Sequence, residues 1–84
     1  ISFDSRGYMV IPNPGIRSTR LYFKNSKGDR TELKLYGVNG GLSRHLFTES
    51  AFFDLDLTGL NGGVYIFSIL QNGNSAVNGK ILVE

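Results

Sequence analysis

Apolar and polar residues alternate along most of this sequence in short runs, and glycine, asparagine or proline separates one run from the next. In residues 18–24, for example, Thr19, Leu21 and Phe23 lie on one face of an extended chain. A period of two is typical of strands with one buried face, and no segment has a sustained helical period. The pattern predicts seven strands, at residues 8–11, 18–24, 30–36, 42–48, 52–57, 64–70 and 76–83, and it allows an eighth at residues 1–4.

Two of these strands differ from simple alternation. Residues 64–70 are apolar on both faces, which predicts a central strand that is covered on both sides. The strand at residues 42–48 is predicted to place two leucines and an arginine on one face and a histidine and a phenylalanine on the other, namely Leu42, Leu46 and Arg44 against His45 and Phe47.

Turn residues between the runs indicate the architecture. Asn39-Gly40 favours a tight hairpin, because both residues tolerate the positive φ that such turns need. The prolines of Pro12-Asn13-Pro14 cannot donate to a ladder and predict a rigid, extended corner. Seven short strands at this spacing predict an all-β fold, a seven-stranded antiparallel immunoglobulin-like β-sandwich.

The length of 84 residues suits one domain and not two. We therefore expect a single domain over residues 1–84, in which residues 1–7 form a linker. Ile1 leads directly into mixed polar sequence and not into a signal peptide, which favours a domain that belongs to a longer protein.

Composition excludes several classes of function. The net charge is only +2 and the nine lysines and arginines are spread along the chain, so nucleic acid is not an expected partner. The absence of cysteine removes disulfides, thiolate metal sites and cysteine nucleophiles. Uninterrupted apolar runs such as residues 64–67 are far too short for a membrane-spanning helix.

Few residues suggest catalysis or metal binding. His45 is the only histidine, and a metal site needs three or four ligands. Asp54 and Asp56 share a strand face near Glu49; such carboxylates can bind calcium or hydrolyse a glycosidic bond, but a solvated strand face is the simpler interpretation. The glycine-rich loops precede strands and not the helix that a phosphate site needs. We expect no catalytic residue, no metal and no cofactor, and hence no enzyme.

Five aromatic rings allow a further interpretation. They would form a flat platform for a sugar if they shared one face, although such platforms favour tryptophan and this chain has none. Otherwise the rings cover a sheet or form cross-strand pairs. The residues concerned are Tyr8, Tyr22, Tyr36, Phe52 and Tyr65.

Several stretches, taken in order, resemble the C-terminal sorting domain of the bacterial type IX secretion system (Por secretion system), type A family. Ile11-Pro12-Asn13-Pro14 is similar to the opening aromatic-Pro-Asn-Pro motif of that family. Residues 33–42 look like its central strand and glycine turn, residues 57–66 like its signature of leucine, loop and Gly-hydrophobic-Tyr, and residues 79–84 like its terminal strand with lysine. Ile11 stands where the family usually has an aromatic residue, and Gly37 where it usually has aspartate.

The resemblance implies a non-catalytic sorting signal at the end of a secreted or surface protein of Bacteroidota. The folded domain would be recognised in the periplasm by the type IX translocon and an outer-membrane shuttle protein, which carry the covalently attached cargo across the outer membrane. A sortase-like signal peptidase would then remove the domain and leave the cargo on the cell surface, or the cargo would be secreted.

The residues expected to be read by the translocon lie in two segments: Gly63, Val64 and Tyr65, and Lys80, Ile81, Leu82, Val83 and Glu84. An exposed edge strand there would allow a receptor to add a strand, or two copies to form a homodimer. The other interpretation is that both segments are core strands needed only for folding.

The other residues that the resemblance singles out belong to the Pro-Asn-Pro motif or to the expected site of proteolytic cleavage. Pro12, Asn13 and Pro14 are expected to be structural. Cleavage is expected in an exposed, extended stretch, at Asp4, Ser5, Arg6 or Gly7. The alternative function is an immunoglobulin-like accessory module that binds carbohydrate or protein in a secreted enzyme or adhesin.

Overall fold

The alternating runs form strands throughout residues 7–84, the part of the chain that the computed structural model describes. Each strand begins and ends within two residues of its predicted bounds, and no helix occurs in this part. The strands are β1 (Tyr8–Ile11), β2 (Ser18–Phe23), β3 (Thr31–Tyr36), β4 (Leu42–Thr48), β5 (Phe52–Asp56), β6 (Gly63–Gln71) and β7 (Asn74–Val83). The eighth strand predicted at residues 1–4, and the expected cleavage positions Asp4, Ser5 and Arg6, lie outside the described residues.

The strands form two antiparallel sheets, in the order β1-β2-β5 and β4-β3-β6-β7. Together they make the predicted immunoglobulin-like sandwich. In a constant-type immunoglobulin domain the fourth strand joins the sheet of the first, second and fifth strands. Here β4 pairs with β3 instead, so the second sheet has four strands.

The core contains the inward-facing residues of both sheets, as their period of two predicts. The alternating residues of β2, β3 and β5 are almost fully buried, including Thr19 and Thr31. Aromatic rings contact each other inside: Phe23 stacks on Phe53 with ring centroids 5.3 Å apart. The buried apolar cluster consists of Tyr8, Leu21, Phe23, Leu33, Leu35, Phe53, Leu55, Leu57, Tyr65, Phe67, Ile69, Ile81 and Val83. Burying each of the larger side chains contributes roughly 1.5–3 kcal/mol.

A β-bulge changes the predicted facing of β4. The register between β3 and β4 shifts after Leu35, and Ser43 is the extra residue. Leu42 therefore points to the outer face, where 54% of it is exposed, whereas Leu46 packs on the core. The prediction that Leu42 shares a face with Leu46 and Arg44 is wrong, because one inserted residue reverses the alternation.

Only one face of β6 is covered, although the strand is central in its sheet. Tyr65, Phe67 and Ile69 point into the core. On the opposite face Val64 and Ile66 are 41% and 44% exposed. The prediction that β6 is covered on both sides is therefore wrong for residues 7–84, since its sheet meets another layer on one side only.

Arg44 joins the two sheets where the chain passes from β4 to β5. Its Nε donates to the carbonyl oxygen of Asp56 at 2.8 Å, and its Nη2 donates to that of Thr58 at 2.7 Å. Nη1 donates to the carbonyl of Ser43 in its own strand at 2.8 Å. The planar guanidinium group thus holds the end of β5 against the edge of the four-stranded sheet.

Candidate functional site

The two segments predicted for recognition are direct neighbours in the sheet. β6 and β7 are antiparallel, and Gly63, Val64 and Tyr65 pair with Val83, Leu82 and Ile81 respectively. Glu84 follows directly after the end of β7. Residues that are far apart in the sequence thus form one surface at the end of the β6–β7 pair.

Only half of these residues are exposed. Because successive side chains of a strand point to opposite faces, Tyr65, Ile81 and Val83 lie in the core, with Tyr65 8% exposed. Val64, Lys80, Leu82 and Glu84 are exposed, and Gly63 is half-buried. The core interpretation therefore applies to three of the eight predicted residues, and the other five are at least partly accessible to a partner.

Tyr65 has a structural contact that the sequence reasoning did not assign. Its hydroxyl group donates to the carbonyl oxygen of Asn61 at 2.7 Å. A tyrosine near the start of the sixth strand that bonds back to the preceding loop is the tyrosine corner of immunoglobulin-like sandwiches. The Gly-hydrophobic-Tyr signature therefore includes a residue that fixes the loop between β5 and β6.

The Pro-Asn-Pro-Gly segment (residues 12–15) is bonded to β7. Asn13 Oδ1 accepts from the N–H of Leu82 at 3.1 Å. The N–H of Gly15 donates to the carbonyl of Leu82 at 3.0 Å, and the N–H of Glu84 donates to the carbonyl of Gly15 at 2.9 Å. Gly15 and Val83 form a parallel bridge. The segment bends at residues 12–14, where an extended corner was predicted, and it covers the end of the last strand.

Gly15 permits this close approach because it has no side chain. A Cβ atom there would lie 2.6 Å from Cδ1 of Leu57, well inside van der Waals contact. The segment is also bonded to β2, since the hydroxyl of Thr19 donates to the carbonyl of Pro12 at 2.5 Å. Pro12 and Asn13 thus form hydrogen bonds that hold the segment in place, and a structural role for Pro12, Asn13 and Pro14 stays a prediction.

Along its outer edge β7 is partly closed. The N–H and C=O of Leu82 bond to residues 13 and 15, so they point away from β6. By alternation the backbone groups of Asn78 and Lys80 point the same way, and no described residue bonds to them. With respect to residues 7–84, an added strand therefore finds a short open stretch at Asn78–Lys80 and a covered end at Leu82.

Four exposed apolar residues and the half-buried Tyr36 form a continuous patch on the outer face of the four-stranded sheet. Tyr36 of β3 lies between Leu42 and Ile66 in the register of the sheet, and Val64 lies beside Leu82. Leu42 and Leu82 are 54% and 43% exposed. We call these five residues the outer-face patch. Three of them were not predicted as site residues, because β6 was expected to be covered and the bulge in β4 leaves no signal in the pattern.

A groove of about 360 Å³ borders the patch at the same end of the molecule. It lies between the β3–β4 turn and the loop that precedes β6, and Val64 and Tyr65 contribute to its wall. Val38, at the tip of the turn, is 88% exposed. The other lining residues are mostly small or polar: Gly37, Asn39, Ser43, Gly59, Leu60, Asn61, Gly62 and Gly63.

Comparison of the sequence with protein-family models and with curated proteins finds no match. Within residues 7–84 there is no helix that is long and apolar enough to cross a membrane.

The candidate acid and base residues have separate partners. His45 contacts Glu32 through Nε2 and Oε2. Asp54 accepts from Arg20 Nε at 2.7 Å and from Nη2 at 3.2 Å, and this hydrogen bonding raises the pKa of Arg20 above its usual value. Glu49 is exposed. Among the described residues no three His, Asp or Glu side chains are grouped closely enough to hold a metal ion.

Asp56 stabilises the start of the loop after β5. Its Oδ1 accepts from the N–H of Thr58 at 2.9 Å. Hydrogen bonds from Thr58, chiefly that of its side chain and then that of its backbone, hold the pKa of Asp56 below its usual value. The exposed carboxylate thus has a turn-stabilising contact at the end of β5.

The five aromatic residues considered for a sugar platform do not share a surface. Tyr8 and Tyr65 belong to the core, where Tyr8 meets Phe67 edge-on at 4.9 Å between ring centroids. Tyr22 and Phe52 lie together on the three-stranded sheet with centroids 6.2 Å apart. Tyr36 lies on the outer face of the other sheet. A single platform of these rings is therefore excluded.

Proposed function

We propose that this domain is a non-catalytic sorting signal, which directs an attached cargo protein across the bacterial outer membrane through the type IX secretion system. In this role the folded domain is bound by the translocon and its shuttle protein, and a sortase-like peptidase then releases it. The localisation that follows is the periplasm in transit and then the cell surface or the medium.

The observation that carries this proposal is the convergence of the family-like stretches on β7. Residues 12–15 bond to Leu82 and Glu84, and residues 63–65 pair with residues 81–83. The turn at residues 37–41 lies beside Tyr65, since a Cβ on Gly37 would be 3.8 Å from its ring. Stretches that are separate in the sequence thus form one end of the molecule.

Such an arrangement suits a signal that is read after folding. A receptor that reads a folded domain needs side chains in fixed positions, and β-strands within a bonded sheet provide them. Val64, Lys80 and Leu82 are exposed on neighbouring, bonded strands. Their spacing depends on the register of the sheet, so an unfolded chain would not present the same surface.

The test is export of a fusion protein. Residues 1–84 are joined to the C-terminal end of an inert reporter with a signal peptide, in a bacterium that has type IX secretion. We expect the reporter at the cell surface or in the medium. The matched controls are the reporter without the domain and a fusion with Leu35→Asp, which places a charge in the core and unfolds the domain. A wild-type fusion that stays in the periplasm would contradict the proposal.

Deletion of residues 80–84 is a weaker test than surface substitution. It removes Ile81 and Val83, which are 0% and 2% exposed, from the core. Loss of export after such a deletion would follow from unfolding as well as from loss of recognition. Variants at exposed positions avoid this ambiguity, because they leave the core unchanged.

A second candidate function is an accessory module that binds a protein within a secreted enzyme or adhesin. The outer-face patch supports protein binding in that setting too, because exposed apolar patches mark contact surfaces. The fusion experiment separates the two functions, since an accessory module does not export the reporter. For the carbohydrate version, a glycan array probed with the isolated domain gives the corresponding test.

A further inference from the structure

The outer-face patch indicates the chemistry of the partner surface. This inference rests on the sorting function proposed above. We infer that the patch (Tyr36, Leu42, Val64, Ile66 and Leu82) docks on a protein surface that is apolar at its centre and carries carboxylates at its rim. The contact is made by side chains of the sheet face and not by addition of a strand to β7.

The patch has the continuity that a docking surface needs. Leu42, Tyr36 and Ile66 lie in one row across β4, β3 and β6, because each pairs directly with the next. Val64 and Leu82 pair in the adjacent position of β6 and β7. Directly opposite side chains in antiparallel strands are about 5 Å apart, so these residues touch or nearly touch. An apolar centre of this kind is typical of the buried part of a protein interface.

Two lysines border the patch at the end where Tyr36 and Ile66 lie, and they give this part of its rim a positive charge. Lys80 pairs with Ile66 across β6 and β7, and Lys34 precedes Tyr36 by two positions on the same face of β3. Neither forms an ion pair with another described residue. Glu32, the next residue on that face, is engaged by His45. Glu84, which is exposed two residues beyond Leu82, lies at the other end of the patch. The partner's carboxylates are therefore expected beside Lys34 and Lys80.

Other occupants fit this charge less well. A symmetric pair of two copies would bring four lysines and only two Glu84 side chains into one interface, so unpaired like charges would repel. Two lysines and a small aliphatic patch give only weak attraction to an anionic bilayer, which needs more basic residues or a lipid anchor. A protein surface of opposite charge satisfies both the apolar centre and the rim.

Strand addition to β7 is disfavoured by the Pro-Asn-Pro-Gly segment. Asn13 and Gly15 already occupy the outward N–H and C=O of Leu82. A receptor strand would have to displace them to extend past Lys80. The outward side chains of Val64, Lys80 and Leu82 are accessible without any such displacement.

The experiment compares surface variants in the reporter fusion described above. Ile66→Glu places a carboxylate in the apolar centre, and Lys80→Glu reverses the charge of the rim. Lys80→Arg is the control that keeps the charge. Ile11→Glu is the control that adds a carboxylate at a similarly exposed apolar residue, 52% exposed, in the three-stranded sheet. The urea midpoint of each purified domain shows that the variant is folded.

We expect export to fall at least tenfold in Ile66→Glu and Lys80→Glu, while Lys80→Arg and Ile11→Glu export as the wild type does. Equal export by all folded variants would overturn the docking inference and leave the sorting function standing. A wild-type fusion that is not exported would overturn both.

Two measurements on the purified domain test the other occupants. Sedimentation with vesicles of anionic phospholipid should leave the domain in the supernatant. Analytical ultracentrifugation at tens of micromolar should show a monomer. Vesicle binding that Ile66→Glu abolishes would identify a membrane as the occupant, and a dimer that the same variant dissociates would identify a second copy. Either result would overturn the inference of an acidic protein partner.

Discussion

At the scale of single residues, Tyr65 joins the core to the loop before β6. Its ring is buried in the apolar cluster, and its hydroxyl bonds to the carbonyl of Asn61. One side chain therefore fixes both the start of β6 and the loop that forms one wall of the groove. This role explains why a tyrosine suits the position without any contact to a partner.

The hydrogen bond of Tyr65 can be tested by Tyr65→Phe. We expect the free energy of unfolding to fall by about 1 kcal/mol, because the ring stays buried and only one hydrogen bond is lost. Tyr36→Phe is the matched control, since the Tyr36 hydroxyl has no hydrogen bond to a described residue. Urea unfolding measures both. Equal stability of the two variants would show that the Asn61 contact contributes nothing.

Glycine at position 79 shows a different residue-scale constraint. A Cβ there would lie 2.6 Å from the rings of both Tyr8 and Phe67. The two rings meet edge-on against the backbone of β7, so the last strand packs closer to the core than a strand with a side chain at that point. The absence of a side chain at Gly79 therefore allows the ring of Tyr8 to pack directly on β7.

At the scale of elements, β7 is held on both of its edges, but by different means. Along one edge it pairs with β6 over most of its length. Along the other, residues 12–15 are bonded to its end. Covering an edge with a loop is one of the ways in which sheets avoid unwanted pairing. The family-like Pro-Asn-Pro stretch thus has a physical task in this molecule.

Asn13→Ala tests that task. The Leu82 amide loses its acceptor, and we expect its hydrogen exchange to become roughly tenfold faster. The amide of Ile81 points to β6 and should keep its wild-type rate, apart from the change in global stability. Asn13→Asp keeps an acceptor oxygen at the same place and should protect Leu82 like the wild type. An unchanged rate for Leu82 in Asn13→Ala would show that Asn13 does not hold the strand.

At the scale of the whole molecule, the two sheets are joined by the core and by Arg44. Both sheets contribute residues to the core. Hydrophobic contacts have no preferred direction, so they do not fix how the edges of the two sheets meet. Arg44 supplies directed contacts at the margin where β4 and β5 approach, by donating to the carbonyls of Asp56 and Thr58. The guanidinium group thereby fixes the position of β5 relative to β4, where the edges of the two sheets meet.

We expect Arg44→Ala to lower the free energy of unfolding by about 1–2 kcal/mol, because carbonyl groups at the margin lose their donor. Arg44→Lys should restore less than half of this, since an ammonium group cannot reproduce the planar fork. Lys34→Ala, which removes a half-exposed cation from the neighbouring strand, should change stability by less than 0.5 kcal/mol, about the usual limit for a surface substitution. Urea midpoints at constant slope measure all three. Full stability in Arg44→Lys would assign the effect to charge and not to geometry.

The strands and their buried faces followed from the sequence because alternation is a local property. Thr19, Leu21 and Phe23 need no distant information to be placed on one face, and all three are buried. The same holds for β3, where Thr31, Leu33 and Leu35 are fully buried. A period of two with turns between the runs was therefore enough for the fold class and for most of the core.

The accessible site depended on contacts that alternation does not contain. Whether Val64 and Ile66 are covered depends on how many layers the fold has, and the single inserted residue Ser43 decides where Leu42 points. The bond from Leu82 to Asn13 joins residues 69 positions apart. Local pattern thus determined which residues form strands and a core, whereas only the tertiary structure decided which apolar residues remain exposed, because exposure depends on neighbours that are distant in the chain.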